Sequence, residues 1–153
     1  MVKIGDIVED FVLKDQNGDP VRLSDFEEKK VLLSFHPLAW TPVCRDQMLD
    51  LEKNFNTFKK LNTVALGISV DSTFCKHAWA DNIGVKKTIL LSDFWPHGEL
   101  SKKFHVFNEE KGFSERVNII VDENREVIFA KHYDIPELPD IKEILDFLKN
   151  HRD

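Results

Sequence analysis

The chain has no apolar run approaching the roughly 18 residues that span a membrane. Its first ten residues, Met-Val-Lys-Ile-Gly-Asp-Ile-Val-Glu-Asp, carry acids where a secretory signal needs an apolar core. Both absences lead to the expectation of a cytoplasmic protein. Excess positive charge is missing too: the formal net charge is -6, which argues against a nucleic-acid or anionic-membrane surface. Cysteine is scarce, with only Cys44 and Cys75, and there is no C-x-x-C pair. Two cysteines in a cytoplasmic chain read as buried thiols or redox groups, not as a structural bridge. The six histidines, at 36, 77, 97, 105, 132 and 151, lack metal-ligand spacing; no metal is expected, and they read as surface or local hydrogen-bonding groups. No repeat, low-complexity tract or change of composition divides the 153 residues, so residues 1–153 are expected to form one domain with a core large enough to need no staples.

What is present is a regular alternation of strand and helix patterns. Phe11–Lys14 and Val21–Leu23 flank an Asn17-Gly18 turn and read as an N-terminal hairpin, followed by a short helical turn at Ser24-Asp25-Phe26. Val31–Phe35 is the nearly continuous apolar run of a strand buried on both faces. From Val43 the period changes, with Met48, Leu51, Phe55 and Phe58 on one face of an amphipathic helix. Thr63–Val70 is a second apolar strand. Asp71-Ser72-Thr73 offers caps for a helix through Phe74, Ala78 and Trp79 that stops near Gly84. Thr88–Leu91 reads as a strand, 99–106 as a short helix, and Val117–Val121 with Val127–Ala130 as a hairpin. A last helix from Pro139-Asp140 carries Ile141, Ile144, Leu145 and Leu148 on one face. The order implies an α/β domain, a mixed central sheet sandwiched by helices. It is the order of a thioredoxin-like fold with an N-terminal hairpin extension and an insertion in the middle.

The stretch with the most chemistry is Pro37-Leu38-Ala39-Trp40-Thr41-Pro42-Val43-Cys44, between the central strand and the long helix. Thr41 suits the N-cap and Pro42 the first helical position, which puts Cys44 at the third. There the free amides and the positive end of the helix dipole favour thiolate over thiol. A dithiol reaction of the thioredoxin kind would need a cysteine where Thr41 stands.

Pro37-x-x-x-Thr41-x-x-Cys44 resembles the active-site motif of the peroxiredoxins, thiol peroxidases that reduce hydroperoxides. The resemblance extends through Gly5-Asp6 and Phe11, Leu-Gly-Ile-Ser-Val-Asp at 66–71, Leu-Leu-Ser-Asp-Phe-Trp-Pro-His-Gly at 90–98, Val106-Phe107-Asn108-Glu109, and Arg116 before Ile-Val-Asp at 120–122. The Phe-Trp-Pro-His-Gly and Val-Phe-Asn-Glu segments are most similar to the AhpE-type one-cysteine group, with the bacterioferritin-comigratory type second. The resemblance implies Cys44 as nucleophile and Arg116 as its fixed positive charge. It further implies that Thr41 holds the peroxide oxygens and that Pro37 closes over the sulfur. Gln47 is a candidate to orient Arg116, and Trp40 a candidate to line the pocket. The product would be a cysteine sulfenic acid, with no cofactor or metal needed.

Cys75 remains open between a packed thiol, a resolving cysteine and, with His77, a metal ligand. Asp71–Trp79 resembles a D-S-x-F-x-H-x-A-W stretch that in two-cysteine peroxiredoxins lies at a subunit interface, with Lys76 where histidine is usual. The implied partners are a hydroperoxide and a thioredoxin-, glutaredoxin- or mycoredoxin-like reductant or a low-molecular-weight thiol, together with a second copy in a homodimer. Two other readings stand beside the peroxidase: a thiol–disulfide oxidoreductase, and a peroxide sensor or holdase that uses Cys44 oxidation as a signal.

Overall fold

The structure is a computed structural model and describes residues 1–151. Alternation along the central strand β3 (Lys30–Phe35) sets the layers, because successive side chains point to opposite faces. Val31, Leu33 and Phe35 enter one apolar cluster with Phe11, Leu100 and Phe104, while Leu32 enters another with Cys44, Met48, Phe58, Trp79 and Ile144. A strand that feeds both clusters has no polar face to spare, as the continuous apolar run predicts.

Seven strands form the sheet in the order β2-β1-β5-β4-β3-β8-β9. β3, β4 (Thr63–Ser69) and β5 (Ile89–Ser92) run parallel, and β8 (Arg116–Val121) and β9 (Val127–Tyr133) add antiparallel neighbours on one side. The N-terminal hairpin β1 (Val12–Asp15) and β2 (Pro20–Arg22) extends the opposite edge through antiparallel pairing of β1 with β5. The expected hairpin is thus part of the main sheet. On one face lie α1 (Pro42–Lys53), α2 (Phe55–Lys60), α3 (Thr73–Ile83) and α5 (Ile141–Asn150); the N-terminal segment and the short α4 (Glu99–Lys103) cover the other. Gly67 in β4 is needed for this packing, since an added Cβ would collide with Met48 Sδ of α1.

Two expectations are corrected. The helix from Val43 breaks at Asn54, whose backbone leaves the helical region (φ -103°, ψ 14°) and whose Nδ2 donates to Asp50 O. α4 ends at Lys103, and a small hairpin, β6 (Phe107–Asn108) with β7 (Phe113–Ser114), follows it. In α3 the inward residues are Lys76, Trp79 and Ala80; Ala78 faces solvent and Phe74 is 86% exposed. Trp79 is in the core, and Trp40 and Trp95 are exposed.

Candidate active site

Thr41 is the N-cap of α1, Pro42 follows it, and Cys44 is the third helical residue. The cap is made without the side chain. Thr41 Oγ1 donates to Leu38 O at 2.8 Å instead of accepting from the helix. The first-turn amides therefore keep no side-chain partner from Thr41, and Cys44 lies in the turn that carries the positive end of the dipole. Cys44 and Pro37 are both buried, and Trp40 between them is held at φ 68°. A residue with a Cβ is uncommon in this left-handed region, so the loop makes a tight reversal before the helix. A hollow of about 140 Å³ lined by Trp40, Thr41, Pro42, Arg45 and Trp79 flanks it.

Arg116 reaches the site through sheet topology. β8 is antiparallel to β3, with Phe35 opposite Val117, so its first residue falls beside the end of β3 and the loop that follows. Arg116 is buried, and its Nη1 donates to Cys44 Sγ at 3.4 Å and to Gln47 Oε1 at 2.7 Å. Nε and Nη2 both donate to Ile135 O, at 3.0 and 2.7 Å. Gln47 Nε2 donates to Ser34 Oγ, which donates to Asn118 Oδ1, each at 2.7 Å. Each member of this chain is buried and paired, which holds the guanidinium in one place. Gln47 is neutral, so it orients Arg116 without cancelling its charge.

Cys75 stands at the corresponding position of α3, the third helical residue after Ser72, in the opposite environment. Its N–H donates to Ser72 Oγ at 3.2 Å, and its Sγ donates to Asp71 Oδ1 at 3.7 Å. Burial first, then the Asp71 charge, push its thiol up from the ordinary value. Asp71 also accepts from Ala39 N and Ser69 Oγ, at 2.8 and 2.6 Å, tying the active-site loop to β4 and α3. Both cysteines are free thiols. Among the described residues there is no cluster that could hold a metal, and His77 instead lies near Gln16 O and Asp81.

Sequence reasoning missed four contributors. Ile135 O acts through its backbone and carries no side-chain signal. Ser34 sits on the central strand, hidden within an apolar run. His36 and Lys76 are both fully buried, with His36 Nε2 and Lys76 Nζ at 2.9 Å, whereas the histidines had read as surface or local groups. Lys76 had a signal, since it precedes Trp79 by three residues and Ala80 by four, the spacing of one helix face.

Fold and geometry together define the class: a thioredoxin-like protein with one cysteine, not a dithiol, at the head of the helix after its central strand. The AhpC/TSA family model matches residues 4–130. The alkyl hydroperoxide reductase E of Mycobacterium tuberculosis is 38% identical over 132 residues, 86% of each chain. The crystal structure of reduced 2-Cys peroxiredoxin from Plasmodium vivax is similar with a TM-score of 0.89 and 28% identity, covering 97% of this chain and 81% of that one. Peroxidoxin BcpB of M. tuberculosis is similar with a TM-score of 0.87 and 27% identity, over 100% of both chains. The chain belongs to the AhpC/TSA family and is a peroxiredoxin, a thiol-dependent peroxidase. Among the described residues no helix is long and apolar enough to cross a membrane.

Proposed function

We propose that Cys44 is the nucleophile that reduces hydrogen peroxide and organic hydroperoxides, with Arg116, Thr41 and the Cys44 N–H as the groups that hold them. The observation that carries this reading is the Arg116 Nη1 donation to Cys44 Sγ, between residues 72 positions apart. The thiolate attacks one peroxide oxygen; the S–O bond forms as the O–O bond breaks. Negative charge moves from sulfur to the leaving oxygen, and donors fixed at that position stabilise the transition state more than the ground state. Thr41 has committed its hydrogen to Leu38 O, so its oxygen is available to accept from the peroxide O–H. Gln47 positions Arg116, Pro37 shields the sulfur, and Trp40 lines the mouth.

The sulfenic acid is then reduced by an external thiol, from a thioredoxin-, glutaredoxin- or mycoredoxin-like protein or a small thiol. Cys75, held protonated beside Asp71, is a packing thiol in this cycle. Intact mass measurement after one equivalent of peroxide tests both statements. One oxygen gained on Cys44 supports the one-cysteine cycle; loss of two hydrogens within a chain would make Cys75 the resolving residue. An unmodified Cys44 would overturn the nucleophile assignment.

The homodimer has its support in exposed aromatics. Trp40, Phe74, Phe94 and Trp95 follow β3, β4 and β5, whose parallel course brings their C-terminal ends to the same end of the sheet. A patch of this kind beside the active site suits a second copy of the chain. Sedimentation of the native protein and of Trp95→Glu tests it, a monomer in both being the contrary result. Two unpaired thiols favour a cytoplasmic setting.

A further inference from the structure

Lys76 is a fully buried amine in the first turn of α3, where the helix dipole disfavours a cation. An ammonium only donates, so His36 Nε2 accepts at 2.9 Å, and the neutral ring carries its proton on Nδ1, facing Ser34 O at 3.4 Å. The Trp79 ring lies beside Nζ, 5.6 Å from its centroid. The titratable groups whose charges act on Lys76 are Asp71 just before α3, Cys75 within it and Cys44 of α1; His36 at the end of β3 is in hydrogen-bond contact with it, and Arg116 of β8 acts on His36. With Cys44 ionised, Arg116 and Lys76 are balanced by the thiolate and Asp71. Once the sulfur becomes a neutral sulfenic acid, one positive charge is left over in a buried place, which is costly.

We propose that Lys76, resting on His36, is a second counter-charge of the Cys44 thiolate, holding its proton in the reduced enzyme and yielding it to the leaving oxygen as the sulfur is oxidised. The inference rests on Cys44 as nucleophile. The step balances: the thiolate sulfur bonds to one oxygen of the peroxide, the O–O bond breaks, sulfur is oxidised and the peroxide reduced. The departing hydroxide or alkoxide gains the proton that Lys76 loses. Reduction of the sulfenic acid by thiol regenerates the thiolate, and Lys76 takes up a proton again. Burial pushes Lys76 down to about 7, against the opposing pull of Asp71, Cys44 and Cys75. Loss of the thiolate charge therefore shifts an amine already poised near neutrality.

The test is a proton count. Reduced protein is oxidised once with hydrogen peroxide in weak buffer containing a pH indicator, at pH values where ultraviolet absorbance shows the thiolate complete. Without an internal donor, each sulfur oxidised draws one proton from solvent. The proposal expects clearly less than one near neutral pH and a return to one at alkaline pH, where Lys76 is already neutral. K76M should draw one proton throughout. One proton per sulfur at every pH in the wild-type protein overturns the proposal without reference to any variant. Mass measurement on the same samples separates the failures: an unoxidised Cys44 overturns the nucleophile assignment and this proposal with it, whereas full oxidation with full proton uptake overturns this proposal alone.

Discussion

Cys44 and Cys75 are each the third residue of a helix that begins at the end of a parallel strand, yet they meet charges of opposite sign. At Cys44 the cap residue turns its hydroxyl away to Leu38 O, and the nearest charge is the Arg116 guanidinium. At Cys75 the cap residue accepts the cysteine's own N–H, and the nearest charge is the Asp71 carboxylate. A helix N-terminus favours a thiolate only where its amides remain unspent and no anion stands in front of it. The same local position thus meets a cation in one helix and an anion in the other, which is the contrast behind the proposal that Cys44 is the nucleophile and Cys75 a packing thiol.

The difference is broken most directly at the sulfurs. Cys44→Ser should remove peroxidase activity to the background, while Cys75→Ser should retain it within about twofold, both followed by peroxide consumption with excess thiol. Loss of activity in the second variant would give Cys75 a part in turnover.

The buried amine between the two helices gives the next largest effect, in stability. Lys76 is pushed from 10.5 to about 7 in the folded state. Between those values the unfolded chain binds more protons, so stability rises with pH; below about 7 the penalty is fully present. Denaturant unfolding from neutral to alkaline pH should show a gain of several kcal/mol that is absent in Lys76→Met.

Arg116→Met removes the charge that distinguishes the sites and should lower kcat/KM about 10²–10³-fold, in the range of a lost transition-state donor. Thr41→Val removes the hydrogen bond to Leu38 O and the proposed acceptor for the peroxide O–H. A loss of about 1–3 kcal/mol, or roughly 5- to 150-fold in kcat/KM, is expected. The smallest effect sharpens the other side: Ser72→Ala frees the Cys75 N–H and should cost about 1 kcal/mol of stability. Peroxidase activity should be unchanged, because the Asp71 charge still faces that sulfur.

Much of this was legible along the chain because it is local. Thr41-Pro42 sets the start of α1 whatever packs against it, and the continuous apolar run at 31–35 requires a strand covered on both faces. The break at Asn54 escaped because Phe58 stays on the buried side after it, so the apolar period runs on undisturbed. In α3 hydrophobicity alone would turn Phe74 and Ala78 inward. In the fold Lys76 takes the inner face because His36, Asp71 and the Cys44 site lie there to meet its charge. The β1–β5 pairing joins strands far apart in the chain, where no turn residue marks the partner.

What the sequence by itself determined is the placement of a lone cysteine at the head of a helix, with threonine where a dithiol would need a second sulfur. Caps, proline and the dipole act within a single turn, so their effect follows from neighbouring residues. Only the tertiary structure decided which of two equally placed cysteines meets a cation and which an anion. Arg116 arrives beside Cys44 because β8 runs antiparallel to β3, its grip on Ile135 O is made to a backbone oxygen, and Lys76 is buried against His36 at the end of the central strand. The anion at Cys75 comes from Asp71, four residues earlier, but the cation at Cys44 comes from a residue 72 positions away, and the fold is what brings it there.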